Sequence, residues 1–358
     1  MRRQDTEKQL ETWIGMIGPA DRTAIKDAQK RWDSIAKPLH SLGLLEDAVI
    51  KMAGISKTAN VRIDKKALVV MCADNGVVAE GVTQTGQEVT AIVAENFLTC
   101  ESSAAIMCKT AGVDIFPVDI GIARDTLVPD YKIAYGTKNL AKEPAMTRDE
   151  AVRAVLTGIG IVKERKEEGY DILATGEMGI GNTTTSSAVA AVLLDKPAET
   201  LTGRGAGLSG EGLRRKKEVI AKALALHKPD RKDSLDVLSK VGGFDLAGLA
   251  GVFLGGAVYR MPIVIDGFIS AAAALLAVNM CGLAKEYMIA SHVSREPGMQ
   301  LILDELGLRA SLSCGMSLGE GTGAVAFLPV LGMAVEVYRR MGTFSDNRIE
   351  DYKDLEEP

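Results

Sequence analysis

The chain has 358 residues, enough for about two domains or for one large domain with an appendage. Hydrophobic residues make up 47% but aromatics only 4%, with 37 glycines, so small apolar side chains must fill the interior, as where helices pack close to a sheet. A net charge of −5 argues against a nucleic-acid binder, which needs a basic face, but leaves room for one basic pocket.

The cysteines (Cys72, Cys100, Cys108, Cys281, Cys314) are scattered and odd in number, and no pair has the short spacing of a zinc site. His40, His227 and His292 lie far apart. Reduced cysteines and no metal are therefore expected. The chain begins with polar and charged residues, and its longest apolar stretches, 246–258 and 269–278, are broken by Gly or too short to span a bilayer. The expectation is a soluble cytoplasmic protein with no membrane partner.

Residues 1–60 predict helices over 5–17, 19–37 and 42–53, from apolar spacings of three and four (Leu10, Trp13, Ile14; Ile25, Ala28, Trp32, Ile35). A strand opens at 66–70 and ends in the turn signal Asp74-Asn75-Gly76. One helix is expected over 86–109, with Val89, Ile92, Val93 and Phe97 on its inner face. A strand follows over 113–120. Thr147 with Glu150 forms a capping box that starts a helix over 147–168.

Residues 170–194, YDILATGEMGIGNTTTSSAVAAVLL, then predict a strand over 171–174, a glycine-rich turn over 176–181 carrying Glu177, and an apolar helix over 188–194. Asn182 and Thr183–Thr185 are possible N-caps. Such a helix N-terminus suits an anion, phosphate above all. An ordinary βα turn that needs Gly for positive φ fits the same letters. The turn matches neither the nucleotide-binding Lys-Ser/Thr loop nor the dinucleotide pattern.

A second glycine-rich loop, 201–212, precedes a helix over 213–226 that opens with Arg214, Arg215, Lys216 and Lys217. Cations oppose the dipole there, so either one of them faces an anion or the four form a solvated face. Helices over 242–260 and 270–281 flank a strand over 261–265 that ends at Asp266. A short strand or turn over 287–294, a helix over 299–306 stopped by Gly307 and a third glycine-rich loop over 314–323 carrying Glu320 follow. A long apolar helix over 324–340 precedes an acidic tail. Glu320, in a weakly polar loop, could be a desolvated general base or a cap on the following helix; Glu177 has the same two readings.

Strands alternating with helices predict an α/β fold: a mainly parallel, Rossmann-like sheet flanked by helices. Ligands bind beyond the C-terminal strand edge in such sheets, and Asp74, Asp119, Glu177 and Asp266 all fall there.

ADNGVVAEGV, Gln87-Glu88-Val89-Thr90, ATGEMGIGNTTTSSA, TGRGAGL, DGFIS, SREPG and SCGMSLGEGTGA occur in the order seen in one family. Over residues 10–342 the chain resembles the nicotinate-nucleotide–dimethylbenzimidazole phosphoribosyltransferases. The resemblance implies transfer of a phosphoribosyl group from nicotinate mononucleotide to 5,6-dimethylbenzimidazole or a related base, with β-to-α inversion, in cobalamin nucleotide-loop assembly. It implies no cofactor and no metal. It assigns Glu320 as general base and Glu177 as a second acid near the ribose. It places Gly179, Gly181, Gly203, Gly205 and Lys216 at the phosphate, and Asp266 and Ser291 near the nucleotide. Gln87 falls in the segment lining the base pocket, where Met316 and Leu318 could add apolar surface. A homodimer is implied, with a small helical domain (1–60, completed by 324–345) beside a large catalytic domain (61–323) and a tail (346–358). The acceptor base stays open, because segment 79–87 differs among members using different bases. A nucleotide sensor without catalysis and a nicotinate mononucleotide hydrolase are the alternatives.

Overall fold

The protein is described from a computed structural model over residues 3–353. Five strands form one sheet in the order β2-β1-β3-β4-β5: β1 (Lys66–Ala73), β2 (Asp114–Gly121), β3 (Ile172–Met178), β4 (Ile263–Ile265) and β5 (Met288–Ala290). Every pairing is parallel. β1 pairs with β2 on one side (Leu68 with Ile115) and β3 on the other (Leu68 with Ala174). The chain therefore winds outward in both directions from the β1–β3 pair. That pair is the topological switch point, where open α/β sheets form their ligand crevice.

The continuous apolar letters of β1 follow from burial on both faces. Ala67, Val69, Met71 and Ala73 enter one core, and Leu68, Val70 and Cys72 the other. In the first core, helices Arg148–Glu167 and Phe244–Tyr259 approach backbone to backbone. A Cβ at Gly158 would collide with the Gly248 carbonyl, and one at Gly251 with that of Val155. Small residues make this contact possible, which is the physical content of the glycine-rich, aromatic-poor composition. In the second core, Arg22–Ser34, Leu44–Ser56 and Thr322–Arg340 gather around Trp32 and Tyr338, whose ring centroids are 5.1 Å apart. This cluster runs on without a break onto Leu68 and Val70 of the sheet.

Several boundaries differ from expectation. The single helix over 86–109 is two helices, Glu88–Thr99 and Ser103–Ala111, parted at Cys100 (φ +60°), with Ser102 Oγ capping the second through Ala105 N–H at 3.2 Å. The inner face of the first is Thr90, Ala91, Ala94 and Phe97, while Ile92 is exposed. β3 does not stop at Ala174 but carries Gly176 and Glu177 inside the strand, paired to Val70 and Met71. The turn is only Gly179–Gly181, and its helix starts six residues earlier than expected, at Asn182. Helix Ser234–Val241 was not expected, although Asp233 caps it and Leu235, Leu238 and Val241 have helical spacing. The capping box Thr147–Glu150 is formed on both sides.

Candidate active site

A cleft of about 250 Å³ lies at the C-terminal strand edge beside the switch point. Glu177, Gly179, Gly181, Gly205, Asp266, Leu318 and Glu320 of the expected set line it. The remainder of that set stands behind or beside it. Ser291 Oγ donates to the Ile265 carbonyl at 2.6 Å, tying β5 to β4. Gln87 Nε2 donates to the Asn75 carbonyl at 3.2 Å and holds the end of β1. Met316 is half-buried and accepts the Arg295 N–H at 3.0 Å, whereas Leu318 is exposed at the cleft. Asp74 and Asp119 serve the neighbouring loop: Asp74 accepts Ala123 N–H at 2.8 Å, and Asp119 pairs with Lys132 at 2.7 Å.

One end of the cleft is lined by glycines, with one lysine directly behind them. Gly179 can bear no side chain, since a Cβ would strike the Ala73 carbonyl. Gly181 caps helix Asn182–Leu194 at φ +94° and offers no side-chain cap, contrary to the expected Asn or Thr cap. Across from it, Lys216 emerges from helix Gly210–His227 and is buried, unlike its exposed neighbours Arg214 and Arg215. Its Nζ donates to Thr183 Oγ1 at 2.8 Å and to the Gly203 carbonyl at 3.3 Å, so it joins both glycine-rich loops. Burial lowers its pKa to about 8, against the opposing pull of Glu296.

The other end is acidic. Gly319, Glu320 and Gly321 are all left-handed (φ +90°, +60° and +89°), and the turn thrusts the Glu320 side chain toward helix Ser103–Ala111. Its Oε2 accepts Ala104 N–H at 3.1 Å. It therefore does not cap the following helix, as one reading expected. Asp266 performs that task, Oδ1 accepting Ala324 N–H at 2.9 Å with His292 beside it. Glu177 accepts from Asn182 Nδ2, and a Cβ at Gly319 would sit 2.6 Å from its Oε1. Desolvation raises the pKa of Glu320, Asp266 and, most of all, the fully buried Glu177. Among the described residues, no three His, Cys, Asp or Glu side chains are arranged to hold a metal.

Sequence reasoning passed over His292, Glu296 and Arg204, which also line the cleft. His292 and Glu296 lie in or next to the SREPG element quoted above, and that was their only signal. Asn182 was singled out as a cap and instead serves as a hydrogen-bond donor to an acid.

An open parallel sheet with its crevice at the switch point, an anion-ready end and an acidic end define a class: an α/β group-transfer enzyme for a phosphorylated substrate. A family model described as Phosphoribosyltransferase matches residues 17–349, and the chain belongs to that family. It is similar to the nicotinate-nucleotide–dimethylbenzimidazole phosphoribosyltransferase of Acetivibrio thermocellus, at 50% identity covering 94% of this chain and 97% of that one. The protein of the same name from Clostridium acetobutylicum is 48% identical, covering 97% and 99%. A crystal structure of CobT from Thermus thermophilus superposes with a TM-score of 0.87 at 39% identity, covering 92% of this chain and all of that one.

Proposed function

We propose that this protein transfers the phosphoribosyl group of nicotinate mononucleotide to 5,6-dimethylbenzimidazole or a related base, giving the α-linked ribotide and nicotinate. The observation that carries this reading is one cleft with a buried lysine tied to Thr183 and Gly203 behind its glycine-lined end and a desolvated glutamate pair at the other. It is read together with near-full-length similarity to proteins bearing that name.

Lys216, Thr183 and the Gly181 end of helix Asn182–Leu194 take the 5′-phosphate. This anchor holds C1′ near the acids. A ring nitrogen of the base attacks C1′ from the face opposite nicotinate. The C1′–N bond to nicotinate breaks, and its electron pair returns to the ring nitrogen, cancelling the pyridinium charge. The N–H proton of the base passes to Glu320, so the new glycosidic bond forms on a neutral ring. Glu177 lies beside the same turn and faces the positive charge that builds on the ribose in the transition state. Leu318 gives the base an apolar surface, and the residues around Gln87 form its wall. A second copy of the chain covers Ile106 and Met333, exposed on neighbouring helices; light scattering should give the mass of a dimer.

The direct test is to incubate the protein with nicotinate mononucleotide and a panel of bases (dimethylbenzimidazole, benzimidazole, adenine, p-cresol). Nicotinate release and product anomer are then followed. Base-dependent release with an α-linked product is expected. Release without a base would make the protein a hydrolase, and donor binding without turnover would make it a sensor.

A further inference from the structure

Glu296 lines the cleft, and the reaction proposed above gives it no task. Its backbone is fixed from both sides. Arg295 N–H donates to the Met316 carbonyl at 3.0 Å, and Met299 N–H donates to the Glu296 carbonyl at 3.1 Å. From there the carboxylate lies on Gly203: a Cβ on that glycine would collide with Oε2 and come within 2.7 Å of Cδ. Gly203 is not left-handed, so its backbone conformation would accept alanine. Glycine at this position makes room for the acid. The carbonyl of the same glycine accepts from Lys216 Nζ at 3.3 Å. Glu296 therefore stands at the anion end of the cleft, on the residue that also holds the phosphate anchor.

A carboxylate is costly in that place. Its charge repels a phosphate bound at Lys216, and its Oε2 is buried without a hydrogen-bond donor. Arg204, which also lines the cleft, spends Nη1 on the Leu208 carbonyl at 2.6 Å. The donor that Glu296 lacks must then arrive with the substrate. On a phosphoribosyl group the ionised phosphate and the ring oxygen only accept, and the nicotinate carboxylate only accepts as well. The 2′- and 3′-hydroxyls are the only donors. C3′ is bonded to C4′, which carries the 5′-phosphate arm, whereas C2′ adjoins C1′ and the acids. A group on the phosphate side meets the 3′-hydroxyl. The last torsion of a glutamate is broad, so either oxygen can turn to it.

We propose that Glu296 is a specificity-determining residue: it accepts a hydrogen bond from the 3′-hydroxyl of the donor ribose and so restricts transfer to ribosyl 5′-phosphates in which that hydroxyl is free. This rests on the functional reading above. A hydrogen bond to an ionised acceptor is among the stronger kinds, which offsets the repulsion of the phosphate.

The test uses the full-length protein with nicotinate mononucleotide and its 3′-deoxy analogue. Dissociation constants are taken by calorimetry, and kcat/KM with the best base of the panel. Wild type should prefer the ribose donor by roughly ten- to a hundredfold. In Glu296→Ala the preference should shrink to within about threefold, with the deoxy donor bound no worse than by wild type. Lys216→Ala should weaken both donors alike and keep the preference. If Glu296→Ala does not fold, Glu296→Gln, of the same shape but uncharged, must lower the preference by at least about threefold. A wild type that does not tell the two donors apart overturns the inference. So does a folded Glu296→Ala that keeps the wild-type preference, since an acid that only kept Lys216 charged would move both donors together. A wild type that makes no α-linked product defeats the functional reading instead, and the ratio of dissociation constants still decides on Glu296.

Discussion

At one end of the cleft, a single buried cation stands between bare glycine backbones. At the other, Glu177, Asp266 and Glu320, backed by Asp245, are drawn out of water together. Desolvation acts on both ends with opposite consequences. It pushes Lys216 down to about 8, toward losing its charge, and Asp245 up to about 6, toward keeping its proton. A substrate that carries phosphate at one end and develops positive charge at the other relieves both. The polarity of the cleft thus describes its ligand: an anion and an incipient cation a ribose apart.

Breaking the acidic end should have the largest effect. Glu320→Gln keeps the shape of the turn and removes the proton acceptor, so kcat should fall by roughly 10²–10⁴-fold with donor KM little changed, measured by nicotinate release. An unchanged kcat would hand the proton to another group. Breaking the anionic end comes next. Lys216→Ala should weaken donor binding by about 1.5–3 kcal/mol, with kcat falling less, as read by calorimetric titration of nicotinate mononucleotide.

The same residue sharpens the comparison through pH. Lys216 loses its proton as pH rises through about 8 in the free enzyme. Donor KM should therefore climb above that pH in wild type and stay flat in Lys216→Ala.

The parallel sheet, the capping box and the three glycine-rich loops were legible in the letters because their signals are local: apolar runs, cap spacing, positive-φ glycines. What was hidden is tertiary. Nothing local marks Cys100 as a helix stop, since a non-glycine in the left-handed region is held there by its surroundings. Gly176-Glu177 reads as the start of a glycine-rich turn, yet it stays in β3. A Cβ on Gly176 would sit 2.6 Å from the Glu320 carbonyl, so the glycine serves close approach of the two glutamate-bearing segments. Asp245 gave no signal, because Asn75 and Gly179, beside which it lies, are far away in sequence. Lys216 differed from Arg214, Arg215 and Lys217 only through the resemblance; burial now separates it from them on physical grounds.

The most direct measurement takes kcat and donor KM separately for wild type, Glu320→Gln and Lys216→Ala with the best base of the panel. The account predicts a crossed pattern, kcat lost at the acidic end and donor KM lost at the anionic end. Losses in the same constant for both variants would contradict a cleft with two chemically separate ends.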